Sequence, residues 1–242
     1  MLIAILNQSS GATGVTGVTD ADVATMTAAI ASQIQTDVAP AWNRAPATVT
    51  FYNNAGAVPA GAYGVAIVNT IDDQPQGVLG YHTENWGMVA TQPIFANGGQ
   101  TLTGDWSVSS TLSHEVLEMF IDPACNLWSD NGQGTAYSLE VCDPVEAPTY
   151  NVGDVSVSNF VTPSWFDPQP RAGARFDKLG QVTAAFTITA AGYANYVHGG
   201  QVKQQWGTMY PGWRKTMKSP PKAPPMAPPM TRSHRLLASW HT

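Results

Sequence analysis

The sequence predicts an α+β fold: a mixed twisted sheet with an amphipathic backing helix, a second helix that carries ligating side chains, and an irregular β-rich lower half. Three observations predict it. Short apolar runs separated by turn residues recur through the first half of the 242-residue chain. Val23, Met26, Ile30, Ile34 and Val38 stand at helical spacing. Around residue 115 lies an apolar helix, flanked by Leu112, Val116, Leu117, Met119, Phe120 and Ile121, that nevertheless contains His114, Glu115 and Glu118.

The elements follow in order. Residues 2–7 read as a buried strand, and 9–17 as a Gly/Ser/Thr loop without the Gly-Lys-Ser/Thr of a phosphate loop. Thr19 is an N-cap with Asp22 three residues on, opening a helix over 20–39 that Pro40 ends. Strands are predicted over 48–52 and 63–68, the latter central because it is apolar on both faces. Shorter strands follow over 77–83 and 88–95, with Pro93 placing the last at an edge. The ligating helix starts near Ser107 and stops at Asp122-Pro123. Beyond it come turns, a strand or turn over 137–144, an alternating strand over 154–161, and a hairpin of 182–189 with 193–197. Residues 1–213 make one domain, and 214–242 a Pro-rich, basic extension.

Charge is divided along the chain. Residues 1–170 hold sixteen Asp/Glu against one basic residue, Arg44, while 171–242 hold ten Lys/Arg against one acid, Asp177. An acidic body repels phosphates, which speaks against nucleic acid as a partner. The basic end is suited to the body itself, a neighbouring copy or an anionic assembly. No run is apolar enough to span a membrane, and no secretory signal is predicted, so a cytoplasmic or virion-associated protein is expected. Cys125 and Cys142 either close one short disulfide or remain reduced.

On a helix, His114 and Glu118 point the same way one turn apart, as two ligands of one ion, and Glu115 is one step round, placed to take a proton from water at that ion. This is the logic of His-Glu-x-x-His with Glu in the last place. Buried carboxylates and an imidazole need a partner of this kind.

The order of elements, together with this motif, resembles the zincin metallopeptidases. The chain also resembles a set of bacterial and bacteriophage proteins without assigned activity. The likeness is carried by Leu79-Gly80-Tyr81-His82-Thr83, the motif from Thr111 to Glu118, Asp122-Pro123, Leu139 to Pro144, and Val157 to Pro163. It spans roughly residues 1–200 and leaves out the tail.

The resemblance implies that His114 and Glu118 are metal ligands and Glu115 the general base. A further ligand is expected from downstream, Glu140 narrowly before Asp143, with Glu146 and His82 as weaker candidates. Zn2+ is the first expectation, although a carboxylate-rich set also suits Ca2+, Mn2+ or Mg2+. The implied activity is peptide or amide hydrolysis. A substrate would pair with an edge strand near 87–95, and Tyr81, His82, Tyr137 or Tyr150 would be the oxyanion donors. The alternative is a non-catalytic virion or surface-assembly component, or homo-oligomer, tethered through 214–242.

Overall fold

The structure, a computed structural model, describes residues 1–9, 17–72, 74 and 78–212. Most of the Gly/Ser/Thr loop and the Pro-rich extension predicted from 214 lie outside the described residues.

The five-stranded sheet has the order β2-β1-β3-β5-β4. β1 (Leu2–Asn7) is flanked in parallel by β2 (Thr48–Tyr52) and β3 (Tyr63–Val68). β5 (Trp86–Ala90) extends the parallel set, and β4 (Gly80–Thr83) closes it antiparallel at the edge. Ile3, Ile5, Val65 and Ile67 are wholly buried, which is why β1 and β3 read as continuous apolar runs. Gly64 is required by packing, because a Cβ there would lie 2.3 Å from the ring of Trp86.

The crossover from β1 to β2 is α1 (Asp20–Gln33), capped as its sequence predicts. Thr19 Oγ1 accepts from Asp22 N at 3.1 Å, and Asp22 returns the contact to Thr19 N. Pro40 does not stop the helix where expected. It has no N–H to offer Thr36, so the helix widens into a π turn (Ile34–Val38), and Ala39 N–H reaches Ile34 O. A last turn, α2 (Ala39–Ala41), follows before Trp42. Arg44 then donates from Nη1 to Phe120 O (2.8 Å) and Ile121 O (2.9 Å), capping the far end of a second long helix.

Two strand expectations are corrected. Residues 88–95 do not form an edge strand: β5 ends at Ala90, and Pro93 lies in the first turn of a short helix, α3 (Thr91–Ala96). Proline is tolerated there because that N–H has no intrahelical acceptor. The edge belongs to β4. Likewise, 182–189 forms no strand among the described residues. Phe186 is at φ 56°, its N–H bonds to Trp165 O, and its ring packs against both Tyr137 and Trp165. The hairpin is instead β10 (Tyr193–His198) with β11 (Gln201–Trp206), turned by Gly199 and Gly200 at φ 59° and 76°.

The lower half is thus β-rich. β6 (Trp128–Asp130), β7 (Thr135–Ser138), β10 and β11 make a four-stranded antiparallel sheet. A hairpin, β8 (Thr149–Val152) and β9 (Val155–Ser158), packs on the second long helix, α4 (Val108–Ile121). The whole is an α+β arrangement with several sheets and few helices. No described helix is long and apolar enough to cross a membrane.

Candidate metal centre

α4 begins as predicted. Ser107 Oγ accepts from Ser110 N, and Ser110 Oγ accepts from Ser107 N, a reciprocal cap. It ends at Asp122, whose Oδ2 accepts from Leu127 N at 2.7 Å. All fourteen of its residues are buried. One side packs on the sheet, the other on β9, where Ser113 Oγ accepts from Ser158 N and donates to Gln33 Oε1. The motif is therefore fixed on both sides before any ligand is considered.

Within this helix His114, Glu115 and Glu118 are only 7%, 5% and 4% exposed. His114 Nε2 lies 3.2 Å from Glu118 Oε1 and 3.2 Å from Asp143 Oδ1. Ligand atoms about 2.0–2.1 Å from one tetrahedral ion stand roughly 3.3–3.4 Å apart, so these spacings suit a shared cation. Glu118 Oε1 also accepts from Cys142 N at 3.2 Å, which steers the carboxylate.

Asp143 arrives on a 3-10 turn (Asp143–Val145) immediately after Cys142. Among the two leading downstream candidates, Asp143 is the one beside His114. Glu140 faces the same cleft from the side of His82, and its Oε2 is sealed from solvent with no hydrogen-bond partner among the described residues. Glu146 lies in the adjoining cleft with Asp105, Trp106 and Thr111. His82, on β4, is more central than its sequence suggested. Its Nδ1 is 3.6 Å from Glu115 Oε2 and 3.8 Å from Glu118 Oε2.

The electrostatics follow from crowding. Burial disfavours charge on His82, yet the Cys125, Glu115 and Glu140 side chains hold its imidazole well above the usual histidine range. Burial likewise opposes charge on His114, and Glu118 with Asp143 more than offsets it. Burial, followed by repulsion from the other acids, raises Glu140 well above the carboxylate range. Glu118 is raised by burial despite His114. Four carboxylates and two imidazoles are crowded together here, a set of ligating groups that suits a hard divalent cation.

The cleft has a volume of about 130 Å3, bounded by this cluster on one side and by Tyr193, Asn195 and Gln204 of the lower sheet on the other. That opposite wall was not foreseen, because β10 and β11 reach it only through long-range pairing. Cys142 was also missed. Its sulfur falls within 4.8 Å of the ligating atoms of His114 and Glu118, although it donates to His114 O at 3.8 Å and is deeply buried. Cys125 and Cys142 are both free thiols, so the disulfide alternative does not hold.

Of the expected oxyanion donors, Tyr137 is stacked among Trp165, Phe186 and Tyr196, and Tyr150 donates to Asp37. Both are engaged away from the cluster, whereas Tyr81 and His82 line the cleft.

No family model matches the chain, and neither a curated protein nor a solved structure is similar to it.

Proposed function

We propose that the protein is a metal-dependent peptidase or amide hydrolase on a zincin-like scaffold. The observation that carries this reading is that Glu118 Oε1 and Asp143 Oδ1 each lie 3.2 Å from His114 Nε2, with Glu115 beside them in an open cleft. His114, Glu118 and Asp143 would hold the cation, Zn2+ before Mn2+ or Ca2+. A cation there supplies Lewis acidity toward a carbonyl and makes water a better nucleophile at neutral pH.

The chain's own residues supply the rest. Glu115 takes the proton as water attacks, then delivers it to the departing amine as the C–N bond breaks. Its carboxylate lies over Gly80, where a Cβ would stand 2.6 Å from Glu115 Oε1, so glycine there leaves the base its place. Of the two edges of the five-stranded sheet, β2 and β4, it is β4 that lies next to the cleft. An extended peptide adding to β4, rather than to 87–95, would present its backbone to the site.

A second reading is favoured by the near-complete burial of the ligands and by the Pro-rich, basic sequence of 214–242. In that reading the cation stabilises a virion or surface-assembly component and nothing is hydrolysed.

The test is metal content by elemental mass spectrometry on wild type and His114→Ala, with peptide hydrolysis on wild type and Glu115→Gln. Zinc bound by wild type and lost in His114→Ala is expected. Glu115→Gln is expected to keep the ion tied to His114 while hydrolysis falls about 10²–10⁴-fold. Bound metal with hydrolysis indifferent to Glu115→Gln transfers support to the structural reading. Wild type without metal removes both.

A further inference from the structure

Glu118 presents a different partner to each of its oxygens. Oε1 is the one beside His114, and Oε2 turns to the opposite side, 3.8 Å from His82 Nδ1. His82 Nδ1 is also 3.6 Å from Glu115 Oε2. These three side chains form a group whose candidate ligating atoms lie within 4.8 Å of one another, and it shares only Glu118 with the group of His114, Glu118 and Cys142.

His82 is oriented for such a role. Its Nε2 is 3.3 Å from Asp122 O, and a carbonyl can only accept, so Nε2 carries a hydrogen and Nδ1, which faces the carboxylates, is the nitrogen left to ligate a cation that displaces its proton. Ligating histidines are commonly fixed this way, by a carbonyl on the far ring nitrogen. An independent observation points to the same place: Glu140 lines this side of the cleft with its sealed Oε2 unpartnered among the described residues.

We propose that His82 Nδ1, Glu115 Oε2 and Glu118 Oε2 form a second divalent-cation site, so that the Glu118 carboxylate bridges two ions. The proposal rests on the hydrolase reading only for the first ion. Paired ions roughly 3.5–4 Å apart, held by shared carboxylates, are a known arrangement for hydrolysis. The spacings here, 3.6 and 3.8 Å against 3.2 Å at His114, give the second site the looser fit and favour Mn2+ there. Glu115 Oε1, over Gly80, keeps the proton-accepting role.

The experiment titrates Mn2+ into the full chain after chelator dialysis, following bound ion by calorimetry and the Mn2+ signal by electron paramagnetic resonance. Wild type is expected to bind two Mn2+ per chain, with the signal per ion falling as the second enters and couples to the first. His82→Gln is expected to bind one, uncoupled, with an unchanged circular dichroism spectrum. Glu115→Gln is the second variant should His82→Gln fail to fold, and it too should bind one. One Mn2+ in wild type, untouched by His82→Gln, overturns the second site and leaves the hydrolase reading standing, with His82 then an imidazolium paired to Glu115 and Glu118. No Mn2+ or Zn2+ bound by wild type overturns both.

Discussion

Two buried acidic centres in this molecule are solved in opposite ways. Asp177 is wholly buried and accepts four N–H groups: Asn159 Nδ2 at 2.8 Å, Leu179 N at 3.1 Å, Gln181 N at 3.0 Å and Val182 N at 3.1 Å. Its charge is satisfied by the protein itself. The α4 centre places Glu115, Glu118, Glu140 and Asp143 around two imidazoles, with the Cys142 N–H turned to Glu118. A saturated carboxylate organises the loop around it. A crowd of carboxylates short of donors is costly unless positive charge is brought in. The contrast separates a structural acid from a set of candidate ligands without appeal to motif.

The largest test of that contrast is Asp177→Ala. It leaves the Gln181 and Val182 N–H groups and the Asn159 amide without their acceptor, and Leu179 N with Asn159 Oδ1 alone; it is expected to cost about 4 kcal/mol. For a chain of this size that lowers the melting temperature by about 8–16 °C. The loss should be the same with chelator or with saturating Zn2+. A deficit that Zn2+ repairs would place Asp177 with the ligands and undo the comparison.

Next comes pH. The folded-state proton affinities of His82, His114, Glu118 and Glu140 are all raised. A raised affinity contributes stability that is fully present below the unfolded value and lost as pH climbs through the folded one. For the two histidines that loss begins above about pH 6.5. Melting temperature in chelator should therefore fall as pH rises through neutrality. Saturating Zn2+, which displaces those protons, should remove the fall. A chelator profile that is flat, or that rises, would show the crowding to be relieved by other means.

The smallest effect sharpens the comparison most. Glu140→Gln removes one repelling charge and keeps the side chain's shape. In chelator it is expected to stabilise the fold on the order of 1 kcal/mol, read as a higher denaturation midpoint, while weakening cation binding. The equivalent change at a saturated carboxylate only destabilises. A Glu140→Gln protein that melts lower in chelator would mean Glu140 is held by the protein as Asp177 is.

The sequence was legible where the physics is local. Thr19 with Asp22 marks the start of α1, and Ser107 with Asp122-Pro123 both ends of α4, because capping involves groups three or four residues apart. The pairing of His114 with Glu118 follows from one helical turn. Legibility failed where neighbours are distant in the chain. Pro93 was read as an edge-strand proline because nothing nearby says that β5 is covered by β4, which precedes it. The Phe186 stretch alternates like a strand, yet its ring packs against both Tyr137 and Trp165. The Gly199-Gly200 turn was the available signal for the true hairpin.

By itself the sequence determined the α+β class, both long helices, and the placing of His114 and Glu118 one turn apart on the second of them, since helical periodicity and caps are set by residues within a few positions. Only the tertiary structure decided which downstream acid meets His114, that His82 enters from β4, and that Glu118 faces one cluster with each oxygen. Those are outcomes of sheet order and of the return through β6 and β7. A carboxylate's partners depend on which distant strands fold against it.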